Sequence, residues 1–198
     1  MKMNISMKSL LNEIEMNGQN VQVYLDLDGV LVNFNKGFKQ LSGGVSAESY
    51  AKVKFNGDAK AAKRAFWAAI GKAGAKWWEN LETMPDGMVL WGFFKRYNPI
   101  ILTAGQGRGV REGKTAWVRK HLGQDVKMVL ADKGENKPNY VTQDPNTTHF
   151  LIDDMQKNID KWNLPEARRV AILHTSAGDS IRQFKEMFIT NSDKHADV

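Results

Sequence analysis

The fold of this chain is decided by residues 21–31, which read VQVYLDLDGVL. The first half is a largely apolar, β-branched run, which is typical of a strand buried on both faces of a parallel sheet. Asp26 and Asp28 follow at its end, and residues two apart in a strand point to the same side. The stretch therefore predicts two neighbouring carboxylates at the carboxyl edge of a sheet, where open α/β sheets bind ligands.

Two carboxylates at this spacing repel each other unless a cation or a shared proton lies between them. We interpret them as a Mg²⁺-assisted phosphoryl-transfer site, with one aspartate as nucleophile and the other as acid or base. The competing interpretation is a plain Asp-Gly turn, in which Gly29 closes the strand. A calcium-binding EF-hand loop is excluded, because Leu31 and Gly37 occupy its glycine and glutamate positions.

The composition is that of a globular protein. Its 198 residues, 42% hydrophobic and 25% charged, suffice for one full-sized domain with a small insertion. The absence of cysteine excludes disulfides, thiolate catalysis and cysteine-ligated zinc, and it fits a reducing cytosol. No apolar run suggests a signal peptide or a membrane span, so we expect a cytoplasmic protein without a membrane partner.

The net charge of +6 has three interpretations. It favours nucleic acid as a partner, or a phosphate-bearing small molecule, or it reflects only a solvated basic surface. The lysines and arginines look scattered along the sequence, so charge alone does not decide among these interpretations.

Strands and helices alternate along the chain, which predicts an α/β fold with a doubly wound parallel sheet. Four further strands are expected, at residues 100–103, 126–130, 150–152 and 170–173. The gap between the first two strands is too long for one crossover helix. We therefore expect a core of residues 19–34 and 82–190, an inserted helical cap of residues 35–81 (the insertion), an N-terminal helix of residues 1–18 and a flexible tail of residues 191–198. Within the insertion, a helix over residues 61–70 is expected to end at Gly71 and Gly74.

Polar side chains also end two other predicted strands. Thr103 ends the second strand, where its hydroxyl and the following backbone N–H groups are suited to holding a phosphate. Asp153 and Asp154 end the fourth, and adjacent acids there favour a metal site whose oxygen ligands suit Mg²⁺. Either Lys133 or Lys137, between the third and fourth strands, could neutralise the phosphate and the nucleophile.

The order of these motifs resembles the haloacid dehalogenase superfamily. The motifs are DLDGV at residues 26–30, Thr103, a downstream lysine and LIDD at residues 151–154. A narrower similarity, to the 5′(3′)-deoxyribonucleotidases and their phage and bacterial relatives, is carried by residues 26–38, by WWENLETMP at 77–85 and by KTAWV at 114–118. That family has a small helical cap between its first two motifs, where the insertion falls here.

The resemblance implies a role for each motif. Asp26 would attack phosphorus and form an aspartyl-phosphate, while Asp28 would act first as acid and then as base. Mg²⁺ would be bound by Asp26, by the backbone carbonyl of Asp28 and by Asp154, with Asp153 in support. The phosphate would be bound by Thr103, Lys114 and the lysine of the third motif.

The resemblance also addresses the third-motif lysine and the substrate pocket. Lys137 is preferred to Lys133, because its setting Lys-x-x-Tyr-Val is similar to that of the phage relatives. Phe34, Trp77 and Trp78 match an aromatic base pocket, since aromatic faces stack on nucleobases. The alternative is that these rings only pack the insertion against the core, which we expect for at least one tryptophan.

These similarities predict a Mg²⁺-dependent phosphomonoesterase whose small-molecule substrates are nucleoside monophosphates. One alternative is a phosphatase for another small phosphomonoester or for a nucleic-acid 3′-phosphate. A second is a catalytically inactive relative that binds nucleic acid, although such a binder has no use for Asp28 as an acid. Ala104 stands where the family often has serine, which leaves the substrate preference open.

Overall fold

The computed structural model describes residues 20–142 and 144–193. The predicted N-terminal helix, residues 1–18, lies outside the described residues, as do residues 194–198 of the predicted tail. Residues 191–193 of the predicted tail are the end of the last helix, and their flexibility stays a prediction. No glycine or proline interrupts residues 179–193, so nothing in the sequence breaks the helical hydrogen bonding there.

Five parallel strands form one sheet in the order β3-β2-β1-β4-β5, which confirms the predicted fold class. The chain runs outward from β1 to β3 and then returns to β4 on the other side of β1, so the strand order reverses between β1 and β4. A crevice at such a reversal is where α/β sheets bind ligands. The strands are β1 (Asn20–Leu25), β2 (Ile100–Ala104), β3 (Met128–Ala131), β4 (Thr147–Asp153) and β5 (Arg169–Leu173).

Helices fill the connections between these strands. Four of them, α1 to α4, occupy the connection from β1 to β2, although the assignment of residues 35–81, which contain the first three, as a separate cap stays a prediction. Among the described residues, no helix has the length and apolarity that a membrane crossing requires. The helices are α1 (Phe34–Leu41), α2 (Tyr50–Phe55), α3 (Ala59–Glu79), α4 (Gly87–Phe94), α5 (Val110–His121), α6 (Gln156–Trp162) and α7 (Ala177–Asp193).

Strand β1 is buried on both faces of the sheet, as its apolar run indicates. Val23 and Leu25 belong to the larger hydrophobic cluster, together with Phe184 of α7. Tyr24 points the other way and packs with Trp162 of α6 in a second cluster. Because β1 is held from both sides, the residues at its carboxyl end have fixed positions.

The prediction that Gly71 and Gly74 end the insertion's main helix is confirmed only in part, because the helical conformation breaks at Gly74 and resumes beyond it. Helix α3 runs on to Glu79, and only Gly74 leaves helical geometry, with φ 67° and ψ −163°. The reason is packing on the far side of this kink. A Cβ on Gly113 of α5 would lie 2.4 Å from the carbonyl oxygen of Ala75, so the two helices touch backbone to backbone there.

Candidate active site

Three strands that are neighbours in the sheet bring the predicted site residues together. Asp26 follows β1 directly, Thr103 lies near the end of β2, and Asp153 is the last residue of β4. Since β2, β1 and β4 are adjacent and parallel, their carboxyl ends meet at one edge of the sheet. Residues from distant parts of the sequence therefore share one site.

The acidic side chains form a tight group at this edge. Asp26, Asp153 and Asp154 each offer a carboxylate oxygen, and these three oxygens lie within 4.8 Å of one another. Burial, together with the negative charges of Asp26 and Asp153, raises the pKa of Asp154 to about 7. A group of oxygen ligands whose own charges repel fits a hard divalent cation such as Mg²⁺.

Gly29 is needed for this grouping as well as for the turn. Its φ is 79°, and a Cβ at this position would lie 2.1 Å from Oδ2 of Asp154. Any side chain would therefore push Asp154 away from the other carboxylates. The DxDG pattern thus makes room for an acid more than a hundred residues further along the chain.

Lys137 lies between two of the three carboxylates. Its Nζ is 3.0 Å from Oδ1 of Asp26 and 2.5 Å from Oδ2 of Asp153, and its side chain is buried. Burial by itself lowers the pKa of Lys137, but the two facing carboxylates outweigh burial and raise it. Of the two lysines weighed for the third motif, Lys137 is the one in this group, whereas Lys133 is exposed.

The carboxylate of Asp26 is held through only one of its oxygens. Oδ1 accepts a hydrogen bond from the backbone N–H of Leu27 at 2.7 Å and faces Lys137. The part of the chain that the structure describes supplies no donor to Oδ2. These contacts fix the rotation of the carboxylate and leave one oxygen for chemistry.

Lys114 organises a second group beside the first. Its buried Nζ donates to Oδ2 of Asp28 at 2.7 Å, to Oγ1 of Thr103 at 2.8 Å and to the carbonyl of Ala104 at 2.8 Å. All three of its N–H groups thus have protein acceptors, so phosphate binding by Lys114 stays a prediction. Thr103 accepts from Lys114 and keeps its own hydroxyl hydrogen for an incoming acceptor.

Asp28 is in a different environment from Asp26. Its Oδ1 is buried and has no hydrogen-bond partner in the described structure. Burial raises the pKa of Asp28, whereas the charge of Lys114 opposes that rise. A carboxyl group with a free, buried oxygen and a raised pKa is suited to carrying a proton.

The three aromatic residues of the predicted base pocket contact one another. The rings of Trp77 and Trp78 are 4.8 Å apart, and each is 5.6 Å from Phe34. Trp78 is only 2% exposed, its ring lies 4.8 Å from Nζ of Lys114, and a Cβ on Gly113 would touch its Cβ. Trp78 therefore packs the insertion against α5, as expected for at least one tryptophan, while base binding by Phe34 and Trp77 stays a prediction.

Asn158, which supports the acidic group, was not among the residues predicted from the sequence. Its Nδ2 donates to both carboxylate oxygens of Asp153, at 2.9 and 3.0 Å, and the N–H of Met155 donates to Oδ1. A Cβ on Gly134 would lie 2.5 Å from Oδ1 of Asn158. Asn158 lies inside α6 and belongs to no motif, so its contact is visible only once the helix is folded back on β4.

Solved structures of other proteins share the fold of this chain. No protein-family model and no curated protein matches the sequence. A protein described as a haloacid dehalogenase-like hydrolase, from Burkholderia xenovorans LB400, superposes with a TM-score of 0.54 and 10% identity over 86% of this chain and 99% of its own. A hydrolase from Streptococcus pneumoniae TIGR4 does so with a TM-score of 0.50 and 12% identity over 85% and 99%. At these identities the similarity establishes the fold, and it does not single out the deoxyribonucleotidases.

Proposed function

We propose that this chain, whose fold is that of haloacid dehalogenase-like hydrolases, is a Mg²⁺-dependent phosphomonoester hydrolase. One observation carries the proposal. Asp26 faces Lys137 in an acidic group that could hold a cation, while Asp28, two residues further on, faces Lys114 with one oxygen free. Two carboxylates with contrasting environments are the arrangement that divides nucleophilic and proton-transfer roles.

In the first step Asp26 is the nucleophile. Oδ2, the oxygen without a protein donor, attacks phosphorus, and the bond from phosphorus to the ester oxygen breaks. The departing oxygen takes the electron pair of that bond and receives a proton from Oδ1 of Asp28. The pKa of Asp28, raised by burial, favours the protonated form that this step needs.

In the second step Asp28 acts as a base. It takes a proton from a water molecule whose oxygen attacks the phosphorus of the aspartyl-phosphate. The bond between phosphorus and Asp26 breaks, inorganic phosphate leaves, and Asp26 regains its carboxylate. Lys114, 2.7 Å from Oδ2 of Asp28, stabilises the anionic form that Asp28 needs for this step.

Asp26, Asp154 and the backbone carbonyl of Asp28 would hold Mg²⁺, with Asp153 in support. When bound, the ion supplies positive charge where a phosphate meets a carboxylate nucleophile, two groups that otherwise repel each other. The protein itself also reduces this repulsion, because Lys137 neutralises part of the negative charge on Asp26 and Asp153.

Nucleoside monophosphates are the substrates we favour. The aromatic rings of Phe34 and Trp77, both partly exposed, contact Trp78, whose own ring lies 4.8 Å from Nζ of Lys114. Stacking on such rings contributes roughly 1–3 kcal/mol per base. The alternatives are another small phosphomonoester, a nucleic-acid 3′-phosphate, or an inactive relative that only binds. Asp28 is paired with the buried Lys114, and a protein that only binds nucleic acid has no use for such an acid, which argues against the inactive relative.

The test is phosphate release from a panel of substrates, with Mg²⁺ and with EDTA. The panel holds deoxy- and ribonucleoside 5′- and 3′-monophosphates, sugar phosphates and a 3′-phosphorylated oligonucleotide. We expect metal-dependent release concentrated on the deoxynucleoside monophosphates, and loss of release in Asp26→Asn with unchanged circular dichroism. Release from sugar phosphates alone would overturn the substrate assignment, and an unchanged rate in Asp26→Asn would overturn the chemistry.

A further inference from the structure

The whole net positive charge of the chain lies in the insertion. Residues 35–81 carry nine lysines and arginines against three acidic residues, which leaves nineteen of each in the rest of the chain. The basic residues themselves are spread along the chain, as expected, but only those outside the insertion are matched by as many acidic residues. All nine are exposed: Lys36, Lys39, Lys52, Lys54, Lys60, Lys63, Arg64, Lys72 and Lys76.

Four of the exposed side chains form a continuous strip on α3, which we name the basic stripe: Lys60, Lys63, Arg64 and Trp67. Their spacing of three and four residues places them on one face of the helix. Trp67 is 40% exposed, and in the described structure none of the three cations is paired with a carboxylate. Phe66, by contrast, packs against the hydrophobic core.

The basic stripe extends along α3 toward its kink at Gly74. Gly71, one turn beyond Trp67 on the same face, lines a cavity of about 610 Å³ where the kink of α3 meets the start of α5. Lys72 and Arg108 add two more cations to this cavity. From Lys60 to Gly71 the helix rises roughly 16 Å, which is long enough to follow several nucleotides.

We propose that the basic stripe binds single-stranded nucleic acid. Its cations neutralise backbone phosphates, and Trp67 stacks on a base. A single strand is favoured over a duplex because only an unpaired, unstacked base offers its face to an indole ring. The binding needs no hydrolysis, so it stands independently of the proposed function.

The test is fluorescence anisotropy of a labelled oligothymidylate titrated with the full chain at increasing salt. The triple variant Lys60→Gln, Lys63→Gln, Arg64→Gln removes three phosphate contacts. We expect the slope of log K against log salt to fall by about 2, since each contact on a single strand contributes about 0.7. Trp67→Ala should weaken binding roughly 5- to 150-fold and leave the slope unchanged.

The matched control removes three exposed cations outside the insertion: Arg119→Gln, Lys127→Gln, Lys161→Gln. We expect this control to bind with the wild-type slope. Phosphate release from a nucleoside monophosphate should be the same in both triple variants, which separates this proposal from the hydrolase. Absence of binding by the wild type, equal weakening by both triples, or equal affinity for a duplex competitor would overturn the proposal.

Discussion

At the scale of the residue, each proposed catalytic aspartate has its own buried lysine. Lys137 joins Asp26 to Asp153, and Lys114 joins Asp28 to Thr103. Charges this far from water are stable only when they are paired. The two pairings differ in one respect that matters for the mechanism, because Asp28 keeps an unpartnered oxygen and Asp26 is one of three clustered acids.

The acidic group should destabilise the metal-free protein as the pH rises. Asp154 has a pKa of about 7 when folded and an ordinary value near 3.8, so the folded state binds the proton more tightly. Its contribution to stability is therefore present below about pH 3.8 and is lost as the pH rises to about 7. In EDTA at pH 8, Asp154→Asn should melt about 2–4 °C above the wild type, a gain on the order of 1 kcal/mol.

The control for this measurement is Asp125→Asn, at an exposed position outside the group. It should follow the wild type at every pH, and the gain of Asp154→Asn should vanish near pH 4. Added Mg²⁺ should raise the melting temperature of the wild type much more than that of Asp154→Asn. A lower melting temperature for Asp154→Asn in EDTA at pH 8 would show that these acids do not repel.

The sequence could indicate the acids of the site but not all of their partners. The spacing of two residues along a strand predicted that Asp26 and Asp28 lie together. The positions of Asp153 and Thr103 at the ends of predicted strands placed them near the same edge of the sheet. The contact of Asn158 with Asp153, and the clearance that Gly29 gives Asp154, depend on how α6 and the β1 turn are placed in space. Such contacts have no local pattern, so reasoning from periodicity cannot find them.

At the scale of the element, α3 links the insertion to the active site. Its first half carries the basic stripe, and its second half, beyond Gly74, carries Trp77 and Trp78. Gly109, the N-cap of α5, fits against the kink so closely that a Cβ there would lie 2.5 Å from the backbone nitrogen of Ala75. The direction of residues 75–79 therefore depends on a backbone conformation that essentially only glycine adopts.

Alanine substitutions at two glycines of α3 should change the free energy of unfolding in opposite directions. Gly74→Ala forces a side chain into φ 67°, ψ −163°, and should cost about 1–3 kcal/mol of unfolding free energy. Gly71→Ala adds a methyl to a helical position with open space around it and should gain about 0.4–1 kcal/mol. Urea denaturation of both variants measures the difference, and equal effects would contradict the kink.

The error in predicting the end of α3 has a physical cause. Gly71 and Gly74 both have weak helix propensity, which predicts a stop. The contact of Ala75 and Trp78 with Gly113 of α5 gives the helix a reason to resume after the kink. Propensity is local and modest in size, so tertiary packing overrides it here.

At the scale of the whole molecule, the net positive charge and the residues of the candidate active site lie in different parts of the chain. The chain outside the insertion is electrically balanced, and its parallel core holds the carboxylates and lysines of the site, while the insertion carries the net charge of +6. The alternation of strands and helices was enough to predict the sheet, since no other layer arrangement fits it. The strand order was not predictable, because the position of β4 beside β1 depends on long-range pairing.

In the proposed mechanism Asp26 carries the phosphoryl group and Asp28 moves the protons. Turnover of p-nitrophenyl phosphate by Asp28→Asn tests this division of roles most directly. Nitrophenolate leaves without needing a proton, so the first step should survive in this variant, whereas hydrolysis of the aspartyl-phosphate needs the missing base. With Mg²⁺ we predict a burst of one nitrophenolate per chain, then slow release, with one phosphoryl group on the peptide that contains Asp26. Steady wild-type turnover by Asp28→Asn, or a phosphoryl group on any other residue, would contradict the account.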